Sequence, residues 1–434
     1  MSIVRATYDV AVIGGGPAGI AAAACAAESR RGARVVLLDE GFAPGGQIWR
    51  SGSTHTPPRR AQRWIHRLAR SGAAVKSQCS VVDARRDGAA FRIDCESRGD
   101  ATYIASLKLI IAAGARERFL PFPGWTLPNV MGIGGAQALL KAGASFEGKR
   151  VVIAGSGPLL LPVAASLASA GARVLFVAEQ ASAGRVALFA ASLWKSPTKL
   201  AEAAVLRAKF LRTRYATGWW VSRATGDSGV RSVSVTNGRR ERTIECDVLC
   251  TGFGLVPNSE LARLLGCDVH DRRVTVDDDQ ATTIPGVYCA GEPTGVGGVD
   301  RSLVEGEIAG LAAMGRAVSS RRRLRRAALN RYSDGLSSAF ALRDEVCRLA
   351  TADTVVCRCE DVRLRNLDPS WTARQAKLYT RAGMGACQGR ICGAALECVM
   401  RWSPDSVRPP IQPARVGTLL DEDDHSTSTN RSAG

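Results

Sequence analysis

Aromatic residues make up only 6% of this 434-residue chain and histidine occurs four times, so base-stacking platforms and imidazole-built metal sites describe it poorly. None of His55, His66, His270 and His425 stands at metal-ligand spacing or has a Ser or Cys partner in a catalytic pattern. Long apolar runs are missing too: 20–27 and 159–170 fall short of the ~20 residues a membrane span needs, and Pro162 interrupts the second. The first residues lack the charged, apolar and small-residue segments of a secretory signal. The expectation is a cytoplasmic protein whose 13 cysteines are thiols or metal ligands before they are disulfides. Acids are in deficit, 40 against 58 Lys and Arg, a net +18. Most of the excess is scattered Arg, with one dense run at Arg321, Arg322, Arg323, Arg325 and Arg326. No nucleic-acid-binding motif accompanies the run, so a solvated helix is expected, with a docking surface for an acidic partner as the alternative. What is plentiful is glycine, 45 residues, in an otherwise ordinary globular composition long enough for two to four domains.

The first glycines are placed for a nucleotide. Tyr8-Asp9-Val10-Ala11-Val12-Ile13 reads as a buried strand and runs into Gly14-Gly15-Gly16-Pro17-Ala18-Gly19, then an alanine-rich helix. Gly14, Gly16 and Gly19 let the turn close, let the backbone approach a pyrophosphate and let helix and strand pack closely. The helix N-terminus, opened by Pro17, then offers N–H donors from Ala18 and Gly19 and partial positive charge. A second strand at 34–38 ends in Asp39 and Glu40, where an acid accepts hydrogen bonds from an adenosine ribose; Asp39 is the better candidate.

Two later segments sharpen this. An apolar strand at 107–113 ends in Ala112-Ala113-Gly114-Ala115-Arg116, and Gly286-Val287-Tyr288-Cys289-Ala290-Gly291-Glu292 is a strand ending in an acid. With the glycine turn they resemble the two-dinucleotide-domain flavoproteins, the family of glutathione and thioredoxin reductases. The resemblance implies FAD, with Ala113 and Gly114 closing the domain near the flavin. Gly291 and Glu292 stand where that family's acid bonds the ribityl chain, although Asp is usual there. Gly45-Gly46-Gln47 matches the loop passing the isoalloxazine, which adds Gly46 and Gln47 as cofactor candidates.

A second unit repeats the spacing: a strand at 150–154, Gly155-Ser156-Gly157-Pro158-Leu159-Leu160, a helical run and a strand ending in Glu179. Leu160 takes the third glycine's place, which should hold the helix farther from the strand. NAD(P), another adenine nucleotide and a purely structural domain all stay open here. The family's redox disulfide is absent, since no closely spaced Cys pair lies near 45–47 or just after Gly155. The isolated cysteines 79, 95, 246, 250, 267, 289, 347 and 398 read as small core hydrophobes.

The C-terminal cysteines differ. Cys357-Arg358-Cys359 is followed, after 27 intervening residues, by Cys387 and Cys392 with four residues between them. Four thiolates in two close pairs can enclose a metal centre. Gly383, Gly385 and Gly389 let N–H groups turn toward the sulfurs, and Arg358, Arg381 and Arg390 offset negative charge. The segment resembles the helical [2Fe-2S] module of bacterioferritin-associated ferredoxin, with zinc and four unrelated thiols as the other readings.

The expected fold is α/β: two nested doubly wound dinucleotide-binding domains plus a small helical C-terminal [2Fe-2S] module. Residues 1–125 and 250–315 make the FAD domain, 126–249 the inserted domain, 316–350 linker helices, 351–402 the cysteine module and 403–434 a tail that frays from 421. Along nearly its whole length the chain looks like the larger, FAD-carrying subunits of heteromeric bacterial amine and amino-acid dehydrogenases. That group includes octopine/nopaline oxidase, hydrogen cyanide synthase and the proline or D-hydroxyproline dehydrogenases, whose FAD-carrying chain is the alpha subunit. The resemblance rests on Gly45-Gly46-Gln47-Ile48-Trp49-Arg50, on 155–161 and on 290–298, and Gln47, Trp49 and Arg50 are expected to line the flavin, face a partner or pack the loop. It implies a D-amino-acid-oxidase-like partner that oxidises the C–N bond, a small third subunit, relay of electrons to a respiratory acceptor, and peripheral association with the inner membrane. It leaves room for FMN at an interface within the complex. No residue here convinces as an acid, base or nucleophile. The rival readings are a self-contained NAD(P)H-dependent reductase and a redox- or iron-sensing module.

Overall fold

In the computed structural model, which describes residues 7–50, 57–97, 99–193, 197–210, 213–403 and 406–419, the first apolar run is β1 (Thr7–Ile13). It leads through the glycine turn to α1 (Pro17–Ser29), then β2 (Val35–Leu38), α2 (Arg59–Arg70) and β3 (Ala74–Lys76), with β1, β2 and β3 parallel. An antiparallel run β4 (Cys79–Asp87), β5 (Ala90–Ser97) and β6 (Asp100–Ile111) returns, and the far half of β6 lies parallel to β1. The short β7 (Ala115–Glu117) leads out of this sheet.

The second layered unit comprises β8 (Val130–Gly132), α3 (Ile133–Lys141), β9 (Arg150–Gly155), α4 (Leu160–Ser169), β10 (Arg173–Glu179), α5 (Ala183–Ser192), α6 (Pro197–Ala208) and β11 (Arg214–Thr217). An antiparallel trio follows, β12 (Trp220–Thr225), β13 (Ser232–Thr236) and β14 (Glu241–Glu245), before β15 (Val248–Gly252) closes a parallel sheet in the order β11-β10-β9-β15-β8. β16 (Leu255–Pro257) pairs back on β7, so the chain leaves and re-enters along one two-stranded ribbon. After α7 (Glu260–Leu264) and the hairpin β17 (Val269–His270) and β18 (Arg273–Val274), β19 (Val287–Cys289) joins β6 and completes the first sheet. The architecture is therefore α/β with parallel sheet cores.

α1 is buried on all sides because α8 (Gly298–Ala313) crosses it. A Cβ at Gly306 or Gly310 would collide with the Ala18 or Ala22 carbonyl oxygen, so the helices meet backbone to backbone. α9 (Ser320–Ala339) and α10 (Asp344–Cys347) form the linker. Within the arginine run, Arg323 pairs with Asp279 at 2.6 Å and Arg322 with Glu307 at 3.4 Å, while Arg326 is buried against Glu305; the face is less solvated than the sequence implies.

The C-terminal module is the hairpin β20 (Val355–Cys357) and β21 (Val362–Arg363), then α11 (Ala373–Thr380) and α12 (Cys392–Met400), around a small core of Val356, Val362, Leu367, Ala376, Leu396 and Trp402. α11 starts at a capping box made by Thr372 and Gln375. One expectation about cysteine needs correction. Cys347 and Cys398 are not isolated core thiols but a disulfide joining α10 to α12, whereas Cys79 and Cys95 lie in the core of the first sheet. The tail expected to fray at 421–434 lies outside the described residues, as do His55 and His425. Among the described residues no helix is long and apolar enough to cross a membrane.

Candidate functional site

β1, the glycine turn and α1 build the first site. Gly14 has φ +104°, and a Cβ at Gly19 would run into the Gly14 carbonyl oxygen, so both positions admit glycine alone. A Cβ at Gly16 would meet nothing within 4 Å, so the turn opens onto free space. Pro17 occupies the first turn of α1, leaving the Ala18 and Gly19 amides to face that space. The Asp39 carboxylate accepts from the Gly15 amide and, at 2.6 Å, from the Gly41 amide, fixing the acid beside the turn. Glu40 points outward and is exposed.

The 45–50 loop folds against this turn: the Gly45 amide donates to the Gly15 carbonyl at 2.8 Å, and Gly46 packs on Gly16. Gln47 and Arg50 are exposed, but Trp49 is 3% exposed in the core, so of the three loop candidates it packs the loop and lines no opening. Lys141 of α3 reaches the Ile48 carbonyl at 3.2 Å and anchors the loop from the second unit.

Ala113 and Gly114 follow β6 on the same sheet edge, and Gly291 and Glu292 follow the neighbouring β19. Glu292 Oε1 accepts from the Gly298 amide at 2.9 Å, whereas Oε2 is buried with no hydrogen-bond partner. Burial pushes its carboxyl above the ordinary range, which the Gly298 and Gly297 amides partly oppose. A buried acceptor held open at the end of β19 is what a ligand hydroxyl would satisfy.

The sequence reading missed the support beneath this acid. Glu305, fully buried, accepts from the Gly291 amide and the Thr294 hydroxyl at 2.9 Å each, and pairs with Arg301 at 2.9 Å and Arg326 at 3.4 Å. The Arg301–Glu305 spacing, i to i+4 on one helix, was the available signal.

The second turn is built differently. Glu179, fully buried, accepts from the Gly157 and Ala181 amides at 2.8 and 2.7 Å, and burial pushes its carboxyl up to about 7. Leu160 is fully buried and begins α4, two residues later than Pro17 begins α1 relative to its turn.

The four C-terminal cysteines converge. Cys357, Cys359, Cys387 and Cys392 line one cavity of about 110 Å³ with Arg358, Ile391, Phe119 and Trp125. They associate in pairs, a buried inner pair Cys357–Cys392 and a more exposed outer pair Cys359–Cys387. The Cys392 thiol holds Cys357 down to about 6, helped by the Gly383 amide donating to its sulfur at 3.4 Å. Among the described residues no three His, Cys, Asp or Glu side chains form a set that could hold one metal ion. Arg358 lines the cavity, while Arg381 is tied to Glu360 at 2.7 Å and Arg390 to the Ile411 carbonyl at 2.9 Å. The module is docked by Trp125 Nε1 donating to the Val355 carbonyl at 2.6 Å, by Arg116 Nε donating to the Arg390 carbonyl at 3.1 Å and by the Arg272–Glu397 pair.

Residues 8–306 match the family Pyridine nucleotide-disulphide oxidoreductase. The chain is 32% identical to the A subunit of opine oxidase from Agrobacterium tumefaciens (strain Ach5), over 95% of this chain and 91% of the relative. It is also 32% identical to the HcnB subunit of hydrogen cyanide synthase from Pseudomonas aeruginosa, over 88% of this chain and 90% of the relative. The L-proline dehydrogenase structure from P. horikoshii superposes with a TM-score of 0.69 at 20% identity, covering 97% of this chain and 81% of that one. The chain thus belongs to the pyridine nucleotide-disulphide oxidoreductase family, in the branch that contains these opine oxidase and hydrogen cyanide synthase subunits.

Proposed function

We infer that this chain is the FAD- and [2Fe-2S]-carrying relay subunit of a heteromeric dehydrogenase whose partner oxidises the C–N bond of an amino acid or opine. The observation that carries the reading is the four-cysteine cavity, walled by Phe119 and Trp125 on the segment leading out of the flavin-type sheet. Ligands in two pairs suit a two-iron cluster, where each iron takes two thiolates. Relatives named as enzyme subunits, matched along nearly the whole chain, support a partner.

FAD takes up two electrons and gives them out singly, and a [2Fe-2S] cluster carries one at a time. The chain's own residues hold and orient. The Gly14, Gly16 and Gly19 turn with Pro17 and Ala18 receives the pyrophosphate, Asp39 the ribose, and Glu292 Oε2 a ribityl hydroxyl, with Gly291 kept in place by Glu305. Gly46 and Gln47, with Ala113 and Gly114, bound the flavin. Exposed Phe42, Ile48, Gln47 and Arg50 present the loop to the partner. Gly383 and Arg358 stabilise the thiolates. The domain limits proposed are 1–125 with 250–315, 126–249 and 351–402.

The test is anaerobic absorbance titration of the chain alone and then with the partner protein that copurifies from its operon. Flavin reduction by an opine or cyclic amino acid only in the complex is expected, together with iron that is lost in Cys387→Ser while flavin stays. Full reduction of the lone chain by NADH would make it a self-contained reductase and sink the relay reading.

A further inference from the structure

The two glycine turns share a spacing but not a state. In front of Gly16 the first turn is open, and α1 starts at once. In the first turn the Gly14 amide is spent on the Leu38 carbonyl and the Gly15 amide on Asp39, while in the second the spending extends into the residues where the helix should begin. Ser156 donates to the Gly252 carbonyl at 2.7 Å, Gly157 to Glu179 at 2.8 Å, Leu160 to Gly157 at 3.2 Å and Leu161 to Pro158 at 3.2 Å. Because α4 begins only at Leu160, the helix N-terminus that would face a pyrophosphate is displaced along the chain.

Something else fills that place. The Ser156 hydroxyl donates to the Phe340 carbonyl at 2.8 Å. Gln180, fully buried at the end of β10, donates through Nε2 to the Ser156 hydroxyl at 2.8 Å and to the Ala341 carbonyl at 3.1 Å, and its Oε1 accepts from the Arg343 amide at 3.2 Å. The Phe340 ring lies 4.0 Å from where a Cβ on Gly157 would project, and it stacks edge-on against Phe189 with centroids 5.5 Å apart. Arg343 finishes the seal with its guanidinium 5.0 Å from the Trp220 ring centroid. Ser156 and Gln180 sit where a nucleotide would be read and both are saturated by the linker, whereas Glu179 keeps the two-amide arrangement that Asp39 has in the first turn.

We propose that the second dinucleotide turn is a dock for the chain's own linker: residues 340–343 are its ligand in place of NAD(P) or another adenine nucleotide. The remodelled turn holds the end of α9 and the start of α10, and through them sets the cysteine module against the two-sheet body. A peptide suits this site because peptide carbonyls need the neutral donors Ser156 and Gln180 supply, whereas phosphate needs free amides or cations. The inference does not depend on which partner or cofactors the protein carries.

Hydrogen–deuterium exchange of the full-length holoprotein, with and without millimolar NADH, NADPH, ATP or ADP, tests it directly. The expected result is no added protection of 155–160 or 178–181 with any nucleotide, and no heat of binding by calorimetry. Saturable protection of those segments, with faster exchange at 340–343, would overturn the proposal by showing that nucleotide displaces the linker. The dock itself is tested with Gln180→Ala and, more gently, Ser156→Ala. Losing about two net hydrogen bonds of ~1 kcal/mol each should raise exchange at 340–343 roughly tenfold or more while bound-flavin content is unchanged. Exchange at the native rate in both variants would show that these contacts do not hold the linker.

Discussion

Two buried carboxylates have opposite situations, and each makes a prediction. Glu179 has both oxygens bonded to amides, yet no cation beside it, so burial raises its carboxyl from 4.5 to about 7. The folded chain therefore holds this proton more tightly than the unfolded chain. Its contribution to stability is complete below about pH 4.5 and is lost as pH rises through about 7, on the order of 3 kcal/mol in all. Urea unfolding at about pH 5 and about pH 8 should show a smaller fall in stability for Glu179→Gln than for the native chain; equal falls would remove Glu179 as the cause. Glu292 instead keeps Oε2 buried and unpartnered. If that oxygen receives a flavin hydroxyl, Glu292→Ala should cost ~1.5–3 kcal/mol of flavin binding, about a tenfold to hundredfold rise in dissociation constant, with Glu292→Gln losing much less. Flavin fluorescence released on dialysis measures this, and an alanine variant that keeps its flavin as tightly as the native chain refutes the assignment.

At the level of elements, α10 and α12 are joined by the Cys347–Cys398 disulfide, which closes a loop of 51 residues. Chain-entropy arguments assign ~4 kcal/mol to a loop of that size, so reductant or Cys398→Ser should lower the unfolding midpoint of the cysteine module clearly and that of the sheets little. Equal shifts of both transitions would mean the module does not unfold as a unit of its own. The disulfide also shows why parts of the fold are legible in sequence and others are not. The strand, glycine turn, helix and acid of each unit lie within some 30 residues, where spacing alone fixes geometry, and Cys357, Cys359, Cys387 and Cys392 stand out by their close pairing. Cys347 has no such signature: it meets Cys398 only because α10 packs beside α12. The same holds for Phe340 over Ser156, 184 residues apart. The Leu160 substitution announces that the second turn has changed, but not that the linker fills it. Trp49 was ambiguous because a loop sequence does not tell an interface aromatic from one turned into the core.

For the whole molecule, the question is how the cysteine module is joined to the sheet that carries the glycine turn. A continuous path of hydrogen bonds joins them. The Ala113 carbonyl accepts from Asn258 Nδ2 at 2.9 Å, Asn258 Oδ1 accepts from Arg116 Nη1 at 2.6 Å, and Arg116 Nε donates to the Arg390 carbonyl at 3.1 Å, between Cys387 and Cys392. Glu260, 2.8 Å from Arg116 Nη2, balances the charge of this largely buried guanidinium. A planar fork can hold Asn258, Arg390 and Glu260 at once, and an ammonium cannot. Arg116→Lys therefore keeps the charge that Glu260 needs but loosens the bridge between the flavin-side strand end and the cysteine loop. On the proposed relay function, both centres of this variant should still be reduced by dithionite, with native flavin and iron content, while electrons delivered to the flavin reach the iron more slowly in stopped-flow absorbance. Transfer at the native rate in Arg116→Lys would show that the fork does not set the spacing between the two sites, and the coupling would then have to run through the Phe119 and Trp125 wall of the cysteine cavity.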